Sequence, residues 1–266
     1  MKRIIFKRIK SVYRSIFYHQ LKNKTIIIYT LGKVGSSTVY SRLKKYSKWN
    51  NIFHVHFLSD EWLHNRLKTT NHYKTNNIAA QKVFSHIEKH PDDKKYIISL
   101  VREPVSREIS NFMQNPNDFV DGDILTHSID DLKSAYLNKL NYDYTFNWFD
   151  TEFKEFTGFD VFARPFNKEK GYSIYEHNDL KILIIKLEKL NRCFNKAMKA
   201  FLGVNLKLTS NANQTSDKKI SSVYKRLKED IKFSELELKK VYSHKYVTHF
   251  YTETEIESFI LKHLRK

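Results

Sequence analysis

Short uninterrupted apolar runs punctuate an otherwise polar chain. Ile26-Ile27-Ile28-Tyr29 is the first, Lys95–Val101 (KYIISLV) carries the second, and Lys181–Leu187 (KILIIKL) carries the third. Brief, β-branched runs of this kind read as strands buried on both faces. Asn51–Leu58 (NIFHVHFL) alternates Ile52, His54, His56 and Leu58 with Phe53, Val55 and Phe57. It predicts a further strand with both histidines on one side. Between the runs, apolar residues recur at helical spacing. Val39, Leu43 and Tyr46 follow the first run, Val105, Ile109, Phe112 and Met113 the second, and Phe194, Ala197, Met198 and Phe201 the third. Gly203 is placed to end that last helix. Strand alternating with helix predicts an α/β fold with a parallel sheet flanked by helices.

The remaining segments are read more coarsely. Glu61–Pro91 is polar and helical in pattern, with Val83, Phe84 and Ile87 on one side and a loop over Asn71–Asn77. Its histidines, His64, His72, His86 and His90, are expected at the surface. Trp148–Phe156 predicts a helix, Phe159–Phe166 a short strand, and Asn205–Ser216 a polar loop. Ser221–Lys266 reads as charged and helical, ending in an amphipathic stretch on Phe250, Ile256, Phe259, Ile260 and Leu264.

Two strand ends carry candidate chemistry. After Tyr29 the chain reads Leu31-Gly32-Lys33-Val34-Gly35-Ser36-Ser37-Thr38. A small-residue loop opening a helix offers backbone N–H groups, the positive end of the helix dipole and hydroxyl donors, and Lys33 adds a mobile charge. The physical reading is a cradle for phosphate or sulfate. The order is wrong for a Walker A loop, which places its lysine after the last glycine. Here Lys33 precedes Gly35. At the second strand end, Arg102 precedes Glu103-Pro104, with proline suited to a first helical turn. Open α/β sheets bind ligands at such strand ends, and the arginine fork suits phosphate. Ser110 lies about two turns further along the helix.

Charge strengthens the anion reading. The 266 residues carry a formal net charge of +18, and no acid occurs before Asp60. A polyanionic partner follows: a phosphorylated cofactor, an acidic polysaccharide, nucleic acid or a membrane surface. Met1–Lys24 holds eight basic residues and no acid, with Ile5, Ile9, Val12 and Ile16 at helical spacing. Two readings stand for it, a basic amphipathic helix in peripheral contact with an anionic membrane and a solvated first helix packed on the domain. Without repeats or a low-complexity linker, the economical division is a basic arm over 1–24 and one α/β domain over 25–266. The single cysteine, Cys193, gives no intrachain disulfide and no cysteine zinc site, which fits a reducing, cytoplasmic setting. No apolar run approaches the roughly 20 residues that span a bilayer.

Taken together, these segments resemble the sulfotransferase family, and more narrowly the carbohydrate sulfotransferase-like proteins associated with bacterial capsular polysaccharide synthesis. The resemblance rests on Gly32-Lys33-Val34-Gly35-Ser36-Ser37-Thr38, where the family has P-K-x-G-[ST]-[ST] and Gly32 replaces the proline. It rests also on Val101-Arg102-Glu103-Pro104 with Ser110 eight residues after the arginine, where Glu103 replaces the usual Asp or Asn. His54-Val55-His56 resembles the His-x-His segment of some glycan sulfotransferases, and Lys186–Leu190 the family's later strand. The resemblance implies a P-loop-NTPase-like sulfotransferase fold and the donor PAPS (3′-phosphoadenylyl sulfate), with no metal. Lys33, Gly35, Ser36, Ser37 and Thr38 would hold the 5′-phosphosulfate, and Arg102 and Ser110 the 3′-phosphate. His56 would be the general base, with His54 and Glu61 as rivals. The implied acceptor is a carbohydrate or glycolipid.

Two other function classes remain open on the sequence. A P-loop kinase would need a metal-binding acid after a buried strand, for which Glu188 is the candidate. A non-catalytic, membrane-associated glycan-assembly factor would keep the fold without turnover. Nucleic-acid binding ranks last, since charge alone suggests it and no recognition motif accompanies it.

Overall fold

The computed structural model describes residues 18–45, 51–66, 68, 73–208 and 218–265. The arm over 1–17, Tyr46, His72 and most of the polar loop before 218 lie outside the described residues. Five strands form one sheet: β1 Lys24–Tyr29, β2 Ile52–Val55, β3 Lys94–Val101, β4 Tyr172–His177 and β5 Leu180–Lys186. Their spatial order is β2-β1-β3-β5-β4. β1 pairs parallel with β2 and β3, and β3 with β5, while β4 runs antiparallel to β5. The fold is α/β as the pattern predicts, with a mixed sheet in place of a wholly parallel one.

The antiparallel strand corrects the reading of Phe159–Phe166, which is a run of turns without a strand. The Asp160 carboxylate accepts from the N–H groups of Phe162 (3.0 Å) and Ala163 (3.2 Å), an alternative to a ladder that short acidic side chains offer. Phe159 and Val161 are nonetheless buried. Apolar content without a ladder explains the misreading. β4, which carries polar positions, pairs across a tight turn at Asn178, whose φ is +52°.

Helices α1 Ser36–Lys44, α2 Tyr73–Lys89, α3 Pro104–Gln114, α4 Ile129–Asn138, α5 Asp143–Asn147, α6 Lys154–Thr157 and α7 Leu190–Leu202 flank the sheet. A π-helical turn, Phe149–Phe153, joins α5 to α6. The predicted loop over Asn71–Asn77 gives way to helix from Tyr73, braced by Asn77 Nδ2 donating to the Tyr73 hydroxyl at 3.0 Å. His86 is half-buried, not on the surface, with its ring 5.0 Å from Phe53 and 4.5 Å from His90. Gly203 ends α7 as expected, at φ +78° with its N–H on the Lys199 carbonyl. The charged C-terminal region divides into four helices, α8 Lys218–Asp230, α9 Glu235–Tyr242, α10 Lys245–Phe250 and α11 Glu253–His263. Capping boxes at Ser234/Glu237 and Thr252/Glu255 start α9 and α11.

One apolar core holds the layers together, with Tyr29, Trp148, Phe153, Tyr246 and Phe250 among its largest members. Leu21, close before β1, is fully buried in it, and Asn51 Nδ2 ties the Leu21 and Lys24 carbonyls to the start of β2.

Candidate active site

The chain leaves β1 toward β2 on one side and then crosses back to β3 on the other. The carboxyl ends of β1 and β3 therefore flank a topological switch point, where open sheets leave a crevice. A cleft of about 1200 Å³ opens there. Its walls include Lys33, Gly35, Ser36, Ser37 and Thr38 from the first loop, Arg102 and Ser110 from the second, and His56 from the end of β2. All the residues singled out for the donor site and the base face one space.

The loop is held open by its backbone. Lys33 and Gly35 both sit in the left-handed region, at φ +69° and +79°. A Cβ on Gly35 would stand 2.6 Å from Leu187 Cδ1. Gly35 caps α1 without a side-chain hydrogen bond, and the residues at this positive helix end line the cleft. Burial, and then the nearby Arg107, push the Lys33 ammonium below its ordinary pKa. An anion in the cleft would relieve both effects.

Arginines tie the second strand end to the loop. Arg102 Nη1 donates to the Lys33 carbonyl at 2.8 Å, and Arg107 Nε to the Gly32 carbonyl at 3.0 Å. Arg107 is 3 % exposed. It also pairs with Glu108 at 2.5 Å and lies 4.8 Å over the Tyr144 ring. The Tyr144 hydroxyl accepts from the Gly32 N–H at 3.2 Å, and burial pushes its pKa up to about 12. Arg107 and Tyr144 line the cleft and were missed in the sequence. Arg107 sits in the helical segment after Pro104, outside both loop patterns.

His56 lies one residue beyond β2. Its Nδ1 is 2.7 Å from the Thr30 carbonyl. A carbonyl only accepts, so Nδ1 carries the proton, and the neutral ring keeps Nε2 as an open acceptor. Burial lowers the pKa of His56. The Thr30 bond opposes that, and Lys33 and Arg107 reinforce it, for a net value below the usual imidazole. The backbone is pinned by Trp148 Nε1 on the His56 carbonyl at 3.2 Å. His54 is committed differently. Its Nε2 meets Ser36 Oγ at 2.8 Å, its ring stacks on Tyr40, and burial, then His56, bring its pKa down to about 4. It lines a separate groove and not the cleft. Glu61 is occupied by Asn65 and Arg66 and also lies outside the cleft lining.

Three further carboxylates hold the walls. Glu152, fully buried, accepts from the Tyr29 hydroxyl (2.5 Å), the Leu58 and Ser59 N–H groups and the Ser59 hydroxyl. Burial outweighs these donors and keeps its pKa raised. Glu188, the candidate metal-binding acid, accepts from the Glu103 N–H at 2.8 Å and the Tyr251 hydroxyl at 3.0 Å, one per oxygen. Its carboxylate thus anchors backbone, and it is absent from the cleft lining. Glu103 caps α3 through the N–H groups of Val105 (2.7 Å) and Ser106 (2.9 Å). Among the described residues no group of three or more His, Cys, Asp or Glu is placed to hold a metal ion, and no helix is long and apolar enough to cross a membrane.

With this geometry in hand, the comparisons with known proteins are specific on one point. Residues 125–252 match the family model described as "NKWYS: Putative capsular polysaccharide synthesis protein". Over that stretch, just under half of the chain, the protein is similar to a capsular polysaccharide synthesis family. No curated protein and no solved structure matches it. The matched segment contains Tyr144, Trp148, Glu152, Glu188 and Tyr246, and excludes Lys33, His56, Arg102 and Ser110.

Proposed function

We propose that the chain is a sulfotransferase, moving a sulfuryl group from PAPS to a hydroxyl of a carbohydrate or glycolipid during capsular or cell-surface polysaccharide synthesis. The observation that carries the reading is the convergence of the Lys33 loop, Arg102 with Ser110, and His56 on one cleft. Its cations also favour a highly anionic donor. Lys33, Arg102, Arg107 and Lys139 line it against two carboxylates, Asp143 and Glu108, and Glu108 is already engaged by Arg107. The similarity of residues 125–252 to a capsular polysaccharide synthesis family supports a carbohydrate acceptor.

The chemistry is an in-line displacement at sulfur. The acceptor oxygen forms a bond to sulfur, while the bond from sulfur to the 5′-phosphate oxygen breaks and leaves its electron pair on that oxygen. His56 Nε2 takes the hydroxyl proton, and the neutral ring that this requires is the form its lowered pKa favours. Lys33 and the start of α1 stabilise the charge that gathers on the departing phosphate. Arg102 and Ser110 set the register of the 3′-phosphate, so that sulfur lies in line with the acceptor.

Calorimetric titration with 3′-phosphoadenosine 5′-phosphate, beside ATP with Mg²⁺, tests the reading. Metal-independent binding of the bisphosphate, weakened at least tenfold by both Lys33→Ala and Arg102→Ala, is the expected result. Binding of ATP with Mg²⁺ alone would replace it with the kinase reading. Binding of neither would point to a scaffold in glycan assembly.

A further inference from the structure

A second concavity, about 1050 Å³, lies beside β2, one of the two edge strands of the sheet. All four residues of β2 line it, together with one face of α2 on which Thr75, Ile78, Lys82, Ser85 and Lys89 recur every three, four or seven residues. Ile78 is 49 % exposed although apolar. Lys82 and Lys89, one heptad apart on this face, are exposed and carry no ion pair among the described residues. The lining holds further lysine and histidine, the aromatic rings of Tyr40 and Phe53, and no carboxylate. A solvated helix face ordinarily mixes both signs of charge. Here one sign stands over an aromatic floor and the hydrogen-bonding edge of a strand.

The groove and the cleft meet at a pair of histidines. His54 lines the groove, His56 lines the cleft, and their rings are 5.1 Å apart. His54 also reaches through to Ser36 Oγ in the anion loop. The two concavities are therefore neighbours across this histidine pair.

We infer that this groove is a docking site for an anionic glycan chain, the continuation of the polymer whose hydroxyl is presented at His56. Lysines recognise the acid groups, aromatic rings pack against sugar faces, and the β2 edge serves the hydroxyls. Its place beside the cleft rests on the glycan-transfer reading above, whereas the charge and aromatic lining stand without it. The sulfated stretch that such transfer creates is itself an anionic glycan and fits the same surface.

The test uses the full chain with dextran sulfate, uncharged dextran of matched length and poly(U), each followed by fluorescence anisotropy or calorimetry over a salt series. A Lys82→Glu/Lys89→Glu variant is compared with Lys196→Glu/Lys199→Glu, which reverses two charges on α7 outside the groove lining. The expected result is a loss of about tenfold in dextran sulfate affinity and a flatter salt dependence for the groove variant only. Equal losses in the two variants would reduce the groove to general surface charge and overturn the inference. A groove-specific loss for poly(U) without one for dextran sulfate would reassign the surface to nucleic acid. Titration of both variants with 3′-phosphoadenosine 5′-phosphate keeps the readings separable. Retained bisphosphate binding in the groove variant shows a folded donor site, so failure of the groove and failure of the transfer reading give different patterns.

Discussion

Replacing Glu103 with aspartate tests how the C-terminal helices hold the second strand end. Glu103 is 1 % exposed and serves two masters. Its carboxylate caps α3, and it also accepts from the Tyr242 hydroxyl at 2.6 Å and His263 Nε2 at 3.3 Å. Burial by itself would raise its pKa. Bonds from His263, Ser106 and Tyr242 and the charge near His263 overcome that and bring it to about 2, against 4.5. Aspartate is an equally good cap, but it is one methylene too short to keep the caps and reach Tyr242 and His263 as well. Two buried donors then lose their acceptor, at ~1–3 kcal/mol each. A loss of about 2–6 kcal/mol is expected for Glu103→Asp in urea unfolding at neutral pH, as a lower midpoint with an unchanged slope. The acid limb supplies the second readout. A carboxyl held at about 2 contributes stability that is fully present above 4.5 and fades as pH falls toward 2, on the order of 3 kcal/mol in all. Glu103→Gln removes that titration and flattens the decline between about pH 5 and 2. A wild-type midpoint for Glu103→Asp would refute the reach argument. An undiminished acid decline in Glu103→Gln would assign it to other carboxylates.

Further expectations follow from the cleft. Gly35→Ala forces a side chain into φ +79° and against Leu187, and a loss of ~1–2 kcal/mol with weaker anion binding is expected by thermal unfolding and calorimetry. Arg107→Lys cannot reach Gly32 and Glu108 at once while lying on Tyr144, so a loss of ~1–3 kcal/mol is expected in chemical denaturation. Histidine NMR titration should place the His56 midpoint below 6.5 and that of His54 near 4, and a midpoint above 6.5 for His56 would contradict the burial argument. Tyr246→Phe removes the hydroxyl that accepts from the Arg102 N–H and donates to its carbonyl. Bisphosphate affinity should fall several-fold in calorimetry while the fold persists.

The buried strands and both cleft-lining loops were legible because each is a local pattern. An apolar run, a glycine pair and an arginine before proline need no distant partner to be recognised. Lys33 and Arg102 were found this way and Ser110 through the family resemblance, and the cleft brings the three together. What escaped was non-local. Arg107 acquires its role only because the Gly32 carbonyl, Glu108 and the Tyr144 ring surround it. Tyr144 and Glu152 lie in stretches without a motif, and their partners are more than 90 residues away. β4 escaped for a different reason. An antiparallel edge strand with polar positions gives a weaker signal than a buried parallel one, while the apolar turns before it resembled a strand.

The split between matched and unmatched segments has a mechanical meaning. Residues 125–252 contain the cleft cation Lys139 but neither the proposed base nor the residues proposed to grip the donor's phosphosulfate and 3′-phosphate. Yet each acting element is fixed by a tether from that segment. Tyr144 holds the Gly32 N–H, Trp148 the His56 carbonyl, Glu152 the Leu58 and Ser59 N–H groups, and Tyr246 both backbone groups of Arg102. A displacement of about 1 Å at a reacting centre is enough to cost orders of magnitude in rate. The geometry of the anion loop and of His56 is therefore a property of the matched segment as much as of the loops themselves. If the proposed transfer is the chain's reaction, Tyr144, Glu152 and Tyr246 matter to it for that reason, although none of them need touch the reacting atoms.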